Sequence, residues 1–315
     1  MTMLRTSIVT LLLTGLLSIV TAICPPEILT RPCTCSNIDG NFLRCENITE
    51  TNVLNGVFRR TTGIFFNHLQ LVKVSIESIP ARSLLDKQIK TIGIVDSNLT
   101  KLFDKTPPPS NILRAINLMN VKMQDSIQWN QFKSLKSLIL FLAIGVEIPV
   151  LDNTFKNNVN KNLTYFALSN TSTVHIVDGV LSELTNLEDV KIQKNPLATY
   201  KRNYFSRPSN IIVLDLDGNQ IETLPADAFS QMPRLQALSL KNNKISTIPD
   251  GVFSQINHKL SYLELEDNPL NCDCGFKWII SNKPKYSLTG NCATPENLKG
   301  KTIKDLESAD LTSCH

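Results

Sequence analysis

Eight cysteines are the residues of this 315-residue chain whose type and spacing best suit covalent or metal chemistry. They form two clusters, Cys24, Cys33, Cys35 and Cys45 near the start and Cys272, Cys274, Cys292 and Cys314 near the end. An even number of cysteines in terminal clusters of an exported chain predicts disulfides at both ends. Zinc sites usually space neighbouring ligands more widely than the Cys-x-Cys pairs here. We therefore expect disulfides and no metal site.

Histidines and charged residues give little support for catalysis. The four histidines are His68, His175, His258 and His315. None of them belongs to a Ser-His-Asp, Cys-His or metal-ligand arrangement that spacing alone supports, and there is no glycine-rich phosphate loop. The sequence therefore predicts no catalytic residues, no cofactor and no enzyme activity. The formal net charge of +4 is too small, and too evenly spread, to indicate a nucleic-acid partner.

The first 22 residues, MTMLRTSIVTLLLTGLLSIVTA, have the pattern of a secretory signal peptide. Arg5 precedes an apolar run, and small residues near Ala22 suit cleavage after that residue. A membrane anchor is the alternative, but the apolar run is short for a bilayer-spanning helix. No second apolar stretch and no tail for a lipid anchor follow. We expect a secreted, extracellular protein without a membrane span, with candidate glycosylation sites at Asn47, Asn98, Asn162 and Asn170.

An internal repeat supplies the elements that would position these residues. The stretch RLQALSLKNNKISTIPDGVF, residues 234–253, combines an L-x-x-L-x-L segment with a following Asn and a later Ile-Pro and Phe. Nine copies of the pattern start at residues 66, 89, 113, 135, 163, 187, 211, 235 and 260. Their spacings of 23, 24, 22, 28, 24, 24, 24 and 25 residues are in the leucine-rich repeat range except for the single 28.

The repeat predicts an α/β solenoid, a leucine-rich repeat horseshoe with one parallel sheet on its concave face and disulfide caps at both ends. Residues 23–65 form the N-terminal cap and first strand, residues 66–270 the repeats, and residues 271–315 the C-terminal cap. Leucines of each strand should point into the coil. Cys272 and Cys274 should seek different partners, because neighbouring side chains of a strand point to opposite faces. Trp278 should pack over the last repeat.

A conserved-looking amide position distinguishes the two halves of the repeat array. Asn195, Asn219, Asn243 and Asn268 should cap the turn after the strand by bonding to buried backbone groups. The first five copies place other residues there: Val74, Ser97, Val121, Ala143 and Thr171. We therefore expect a less regular N-terminal half, with the misfit concentrated near the 28-residue copy.

The two flanks carry a resemblance to known families. The segment CDCGFKWI…GNCATPENLKGKTIKDLESADLTSC is similar to the C-terminal flank of Toll-type ectodomains, Slit-type proteins and lamprey variable lymphocyte receptors. That resemblance implies the pairs Cys272–Cys292 and Cys274–Cys314, and the same order at the N-terminus implies Cys24–Cys35 and Cys33–Cys45. The stretch from Cys24 to Phe58 resembles secreted arthropod leucine-rich repeat proteins named after the non-catalytic subunit of shrimp (Oplophorus) luciferin 2-monooxygenase. That name implies a partner subunit and no chemistry on this chain.

The outward positions of the strands predict a partner surface. Six of them form an apolar patch if the register is right: Met119, Ile139, Phe141, Leu142, Tyr165 and Ala167. Such patches often mark interfaces. The alternative is that the 28-residue copy departs from register and buries these residues. Acidic strands at 215–217 and 264–267 also flank basic positions 191–194 and 241, which predicts either a polar docking site or a solvated surface.

Together these features favour a secreted binding protein that engages a protein or glycan partner through its concave face, without catalysis. One alternative is a receptor-like or co-receptor-like module in innate defence or adhesion. The other is a non-catalytic subunit of a secreted enzyme complex.

Overall fold

A computed structural model describes residues 24–37, 40–249, 251–281 and 283–311. The predicted signal peptide and Cys314 lie outside the described residues. Across those four ranges, every helix is too short or too polar to cross a membrane.

Short strands alternate with irregular returns along most of the chain, and most of the strands join one 13-stranded sheet. The N-terminal cap contains α1 (Glu27–Thr30), β1 (Thr34–Ser36), β2 (Phe42–Glu46) and α2 (Thr51–Arg60). The repeats contain β3 (His68–Val72), β4 (Ser75–Ile76), α3 (Ser83–Asp86), β5 (Thr91–Leu99), β6 (Ala115–Met123), β7 (Leu140–Ile144), β8 (Val150–Leu151), α4 (Asn153–Asn158), β9 (Tyr165–Ser169), β10 (His175–Ile176), β11 (Asp189–Gln193), β12 (Val213–Asp215), β13 (Ala237–Ser239) and β14 (Tyr262–Glu264). The C-terminal cap contains β15 (Leu270–Asn271), α5 (Lys277–Ser281), β16 (Ser287–Thr289) and β17 (Cys292–Thr294). Short 3-10 helices span Trp129–Ser134, Arg202–Tyr204, Cys274–Phe276, Glu296–Leu298, Ile303–Asp305 and Ser308–Leu311.

Strand order in the main sheet is β1-β2-β3-β5-β6-β7-β9-β11-β12-β13-β14-β16, and β4 also pairs with β5. Only β1 pairs antiparallel within this described sheet, and the other pairs are parallel. The sheet therefore begins and ends inside the two caps. This arrangement is a leucine-rich repeat solenoid with a parallel sheet on its concave face.

Parallel pairing in constant register stacks like positions of successive repeats. Leu69 lies beside Ile92, and Ile92 lies beside Ile116. All three side chains are at most 1% exposed, so the first inward position of each strand forms a continuous apolar column. The returning segments close the other side of the core with rings such as Phe229 and Phe253, which stack at 5.6 Å.

The fourth copy differs from the predicted register. Phe141, and not Leu140, lies beside Ile116 of β6 and Phe166 of β9. The inward residues of this copy are thus Leu138, Phe141 and Ala143, and the repeat starts at 138 instead of 135. The spacings on either side become 25 and 25 residues, so the anomalous 22 and 28 disappear.

Leu135 explains why the sequence favoured the wrong start. Its carbonyl accepts the N–H of Leu138, as the carbonyls of Leu184 and Met232 accept the N–H three residues later in their own repeats. Leu135 is therefore the apolar residue that precedes a strand, and its full burial mimics the first strand position.

Buried asparagines hold the turns of the C-terminal repeats. Asn243 Oδ1 accepts the N–H of Ile221 at 3.0 Å, while its amide nitrogen donates to the carbonyls of Leu216 and Leu240. Asn268 repeats this arrangement one coil later. Each side chain therefore satisfies buried backbone groups of two successive repeats, which is the role that the sequence predicts.

The N-terminal half was expected to be less regular, and that expectation is wrong for its sheet. The strands β5 and β6 are nine residues long and keep pairing past the turn position, with Ser97 beside Val121. Backbone groups that lack an Asn partner are thus satisfied by the sheet itself. At Ser97 the side chain also contributes, because its Oγ accepts the N–H of Val74 at 3.0 Å.

Disulfides close both flanks of the solenoid. Cys24 is joined to Cys35, Cys33 to Cys45, and Cys272 to Cys292. Cys274 is also disulfide-bonded, and its predicted partner Cys314 is outside the described residues. Trp278 packs edge-on against Phe253 at 5.3 Å and so covers the C-terminal end of the core.

Candidate binding surface

The outward side chains of the sheet form the concave face, and its two halves differ in chemistry. Strands β5 to β7 present apolar residues at these positions, whereas β11 to β14 present charged ones. We define the apolar strip as Val95, Met119, Leu140, Leu142 and Ile144. Met119 is 39% exposed and the other four are half-buried. An apolar surface of this kind on an otherwise polar face favours contact with a partner.

A cavity of about 270 Å³ opens next to the apolar strip. It exists because Gly93, in the middle of β5, has no side chain between its strand neighbours Gln70 and Asn117. Met119 and Leu142 form part of its rim. We call this cavity the Gly93 dent. Its size and lining suit one apolar side chain of a partner.

The predicted partner surface is only partly placed on this face. Met119, Leu142 and Tyr165 lie on it, and Ala167 also faces outward but is only 2% exposed. Ile139 is 39% exposed but precedes β7, so it lies at the edge of the face.

The assignment of Phe141 to the partner surface is wrong. This residue is 1% exposed and lies in an aromatic cluster with Trp129, Phe132 and Phe166. The cause is the register of the fourth copy. The alternative stated for that copy, burial through a shifted register, holds for Phe141 but not for Leu142.

Sequence reasoning missed the other members of the apolar strip. With the repeat started at 138, Leu140, Leu142 and Ile144 fall on alternate outward positions, and the pattern identifies them directly. Val95 and Gly93 follow from the register of β5, which was already known. The missing signal was that a glycine at an outward position leaves a dent between its neighbours.

The second half of the face, which we call the charged half, comprises Asp189, Lys191, Asp215, Lys241 and Glu264. Lys191 Nζ lies 3.8 Å from the Asp189 carboxylate and 5.6 Å from the ring centroid of Tyr165. Lys241 Nζ lies 3.5 Å from the Glu264 carboxylate. Two of the three acids therefore have a lysine partner.

The third acid, Asp215, is held by neutral groups. Its carboxylate accepts from the Gln193 amide at 2.5 Å and from the N–H of Asp217 at 3.1 Å. Burial raises the pKa of Asp215, and the charge of Asp217 adds to that rise, while Lys191 opposes it. Burial also raises the pKa of Asp189 and of Tyr262, and the Asp215 charge contributes in both cases. The centre of the charged half is thus short of positive charge.

The four predicted glycosylation sites are all exposed. Asn47 and Asn170 lie in left-handed turns directly after strands β2 and β9, with φ of 54° and 52°, at one edge of the concave face. Asn98 lies in the second half of β5. The Asn162 side-chain oxygen is 3.5 Å from the amide of Asn186.

Comparisons with known proteins agree with the architecture. Residues 209–270 match the sequence pattern of the family described as leucine rich repeat. A human protein, "Leucine-rich repeat and immunoglobulin-like domain-containing nogo receptor-interacting protein 2", is 34% identical over 56 residues, which are 17% of this chain and 9% of that protein. The mouse protein of the same name is 32% identical over the same length.

A solved structure extends the likeness to most of the chain. It is a chain from "Octameric complex of Latrophilin 3 (Lec, Olf), Unc5D (Ig, Ig2, TSP1) and FLRT2 (LRR)". The TM-score is 0.54 with 20% identity, and the superposition covers 81% of this chain and 92% of the other. At this identity the comparison shows the fold alone. The protein is a leucine-rich repeat protein with disulfide-bonded flanks.

Proposed function

We propose that this leucine-rich repeat protein is secreted and binds a protein partner through its concave face, with the apolar strip and the Gly93 dent as the principal contact. The dent is the observation that carries the proposal. Monomeric proteins rarely leave contiguous apolar surface open to water without a use for it. Apolar anchors seated in pockets near the centre of an interface usually contribute most of its binding energy.

An extracellular site of action is consistent with the cysteine chemistry. Disulfides form and persist in oxidising compartments and are rare in the cytosol. The three described disulfide bonds lie in both flanks, where they hold the ends of the core closed. We further propose glycans at the four exposed sequon asparagines. A glycan on Asn170 stands at the edge of the concave face and restricts the approach of a partner from that side.

Filling the Gly93 dent tests the proposal. A Cβ added at Gly93 has Gln70 Cγ as its nearest neighbour, at an ordinary 3.8 Å, and the backbone there does not require glycine. Gly93→Leu therefore occupies the dent without strain. Ser75→Leu is the matched control, because it adds the same side chain at an exposed position of β4, away from the concave face.

The assay is affinity capture from native extracellular fluid, with bound proteins identified by mass spectrometry. We expect wild type and Ser75→Leu to retain the same partner and Gly93→Leu to lose it. Equal capture by all three proteins contradicts the proposed use of the dent.

The resemblance of residues 24–58 to the arthropod subunit family supports a second candidate, a non-catalytic subunit of a secreted enzyme complex. Co-purification of an oxygenase-type chain in the same capture favours it. A membrane receptor or adhesion protein as the captured partner favours a role in signalling or adhesion instead.

A further inference from the structure

We infer that Asp215 is an anchor for a lysine or arginine side chain of the protein partner. The inference rests on the proposed function, because it takes the concave face as the binding surface. It concerns a different part of that face. Asp215 lies five strand spacings from Gly93, or about 24 Å at the usual distance between strands.

The first argument is the charge of the neighbours. Asp189 and Glu264 each have a lysine within 4 Å, but Asp215, between them on the sheet, forms no ion pair with any described residue. Its two hydrogen bonds come from the Gln193 amide and the Asp217 backbone. A partly buried carboxylate with only neutral donors binds a cationic donor more strongly than a neutral one.

The second argument is independent of the acidic residues. Ser239 lies directly between Asp215 and Glu264 in the sheet, and its side chain points to the same face as theirs. The residue is only 3% exposed, and its Oγ has no hydrogen-bond partner among the described residues. Buried hydroxyls are normally bonded. A donor entering between the two carboxylates satisfies this oxygen.

The shape of the site also suits a cationic side chain. Ala237 leaves space between Val213 and Tyr262, its neighbours in the sheet. Tyr262 faces the same carboxylate, since the Asp215 charge contributes to the raised pKa of its hydroxyl. An aromatic ring beside a carboxylate is a favourable environment for a guanidinium or ammonium group.

A metal ion is a poorer occupant. No group of three or more His, Cys, Asp and Glu side chains in the described part of the chain is arranged to hold one. Hard cations need several oxygen ligands at short distances. A single carboxylate with a hydroxyl next to it matches the donor geometry of an organic cation instead.

The test uses fluorescein-labelled tetra-arginine and tetra-lysine peptides as probes, with binding followed by fluorescence anisotropy. Asp215→Asn keeps the shape of the side chain and removes its charge. Asp178→Asn is the matched control, because it removes one exposed carboxylate that is paired with Lys201 outside the concave face. Circular dichroism melts of both variants establish that they fold.

We expect Asp215→Asn to weaken peptide binding about tenfold, which corresponds to about 1.4 kcal/mol, and Asp178→Asn to change it less than about twofold. The carboxyl carbon of Asp215 should also shift in NMR spectra of wild type when peptide is added. Equal weakening by both variants, or no weakening by Asp215→Asn, overturns the inference.

This outcome is separable from that of the proposed function. If Gly93→Leu abolishes partner capture while Asp215→Asn leaves peptide binding unchanged, the anchor is refuted and the concave-face function stands. If Asp215→Asn weakens peptide binding and Gly93→Leu leaves capture intact, the anchor stands and the role of the dent is refuted.

Discussion

Truncating Phe141 and Leu142 separately gives the sharpest test of the register in the fourth repeat. Phe141 is 1% exposed, and its ring centroid lies 5.4 Å from that of Trp129 and 5.9 Å from that of Phe166. Leu142 is half-buried on the concave face. The two residues are adjacent in sequence, so a register shifted by one position exchanges their roles.

The magnitude follows from the surroundings of each side chain. Phe→Ala substitutions in well-packed cores cost about 3–5 kcal/mol. The cost at Phe141 should be in the upper part of that range, because Trp129 is also fixed by an edge-on contact with Phe155 at 4.8 Å and cannot move into the space. Leu142→Ala removes atoms that are already partly hydrated, and we expect it to cost about 1 kcal/mol or less.

Equilibrium urea denaturation, followed by circular dichroism, measures both variants. The chain has two tryptophans, so Trp129 fluorescence in a Trp278→Phe background reports the cluster directly. That fluorescence should change in folded Phe141→Ala and stay nearly constant in Leu142→Ala. A Leu142→Ala variant as destabilised as Phe141→Ala refutes the register described above.

Three further predictions concern the turns, the charged half and the C-terminal cap. Asn243→Ala should cost about 1 kcal/mol more free energy of unfolding than Asn219→Ala, because Asn219 Oδ1 has no hydrogen-bond partner whereas Asn243 Oδ1 accepts from Ile221; equal urea midpoints count against this. Burial raises the pKa of Asp215 above its ordinary 3.8, so the folded state binds the proton more tightly and stability falls as pH rises through the folded pKa. Asp215→Asn should therefore be more stable than wild type at neutral pH and equal to it well below 3.8, in thermal melts at several pH values; a less stable variant at neutral pH contradicts this. Replacing both Cys272 and Cys292 by Ser opens a link across 20 residues and should cost about 3 kcal/mol, and a thermal melt unchanged from wild type argues against that role.

Most of the scaffold was predictable from the sequence, because a repeat fixes which residues face inward. The columns through Leu69, Ile92 and Ile116 follow from the spacing of apolar residues alone. The fourth copy was misread because Leu135 and Leu138 are both fully buried and both begin an apolar pattern. Only the pairing of Phe141 with its neighbours on adjacent strands separates the two frames.

The candidate site was less predictable, for a different physical reason. A dent is produced by a side chain that is missing, and Gly93 gives no apolar or charged signal in the sequence. An unpaired carboxylate is likewise a property of relative positions. Sequence spacing places Asp215 among lysines, but the distances show that Lys191 and Lys241 pair with other acids.

Stability and recognition should therefore respond to different residues of the same strands. Inward positions such as Phe141 determine whether the coil closes, and their replacement should lower stability wherever they lie. Outward positions are free of that demand, so Asp215 can keep a carboxylate that costs free energy in the isolated protein. Natural proteins tolerate such local costs where binding offsets them. A single substitution at Asp215 that raises stability at neutral pH and weakens the binding of cationic peptide is the combination that a recognition residue produces and a structural residue does not.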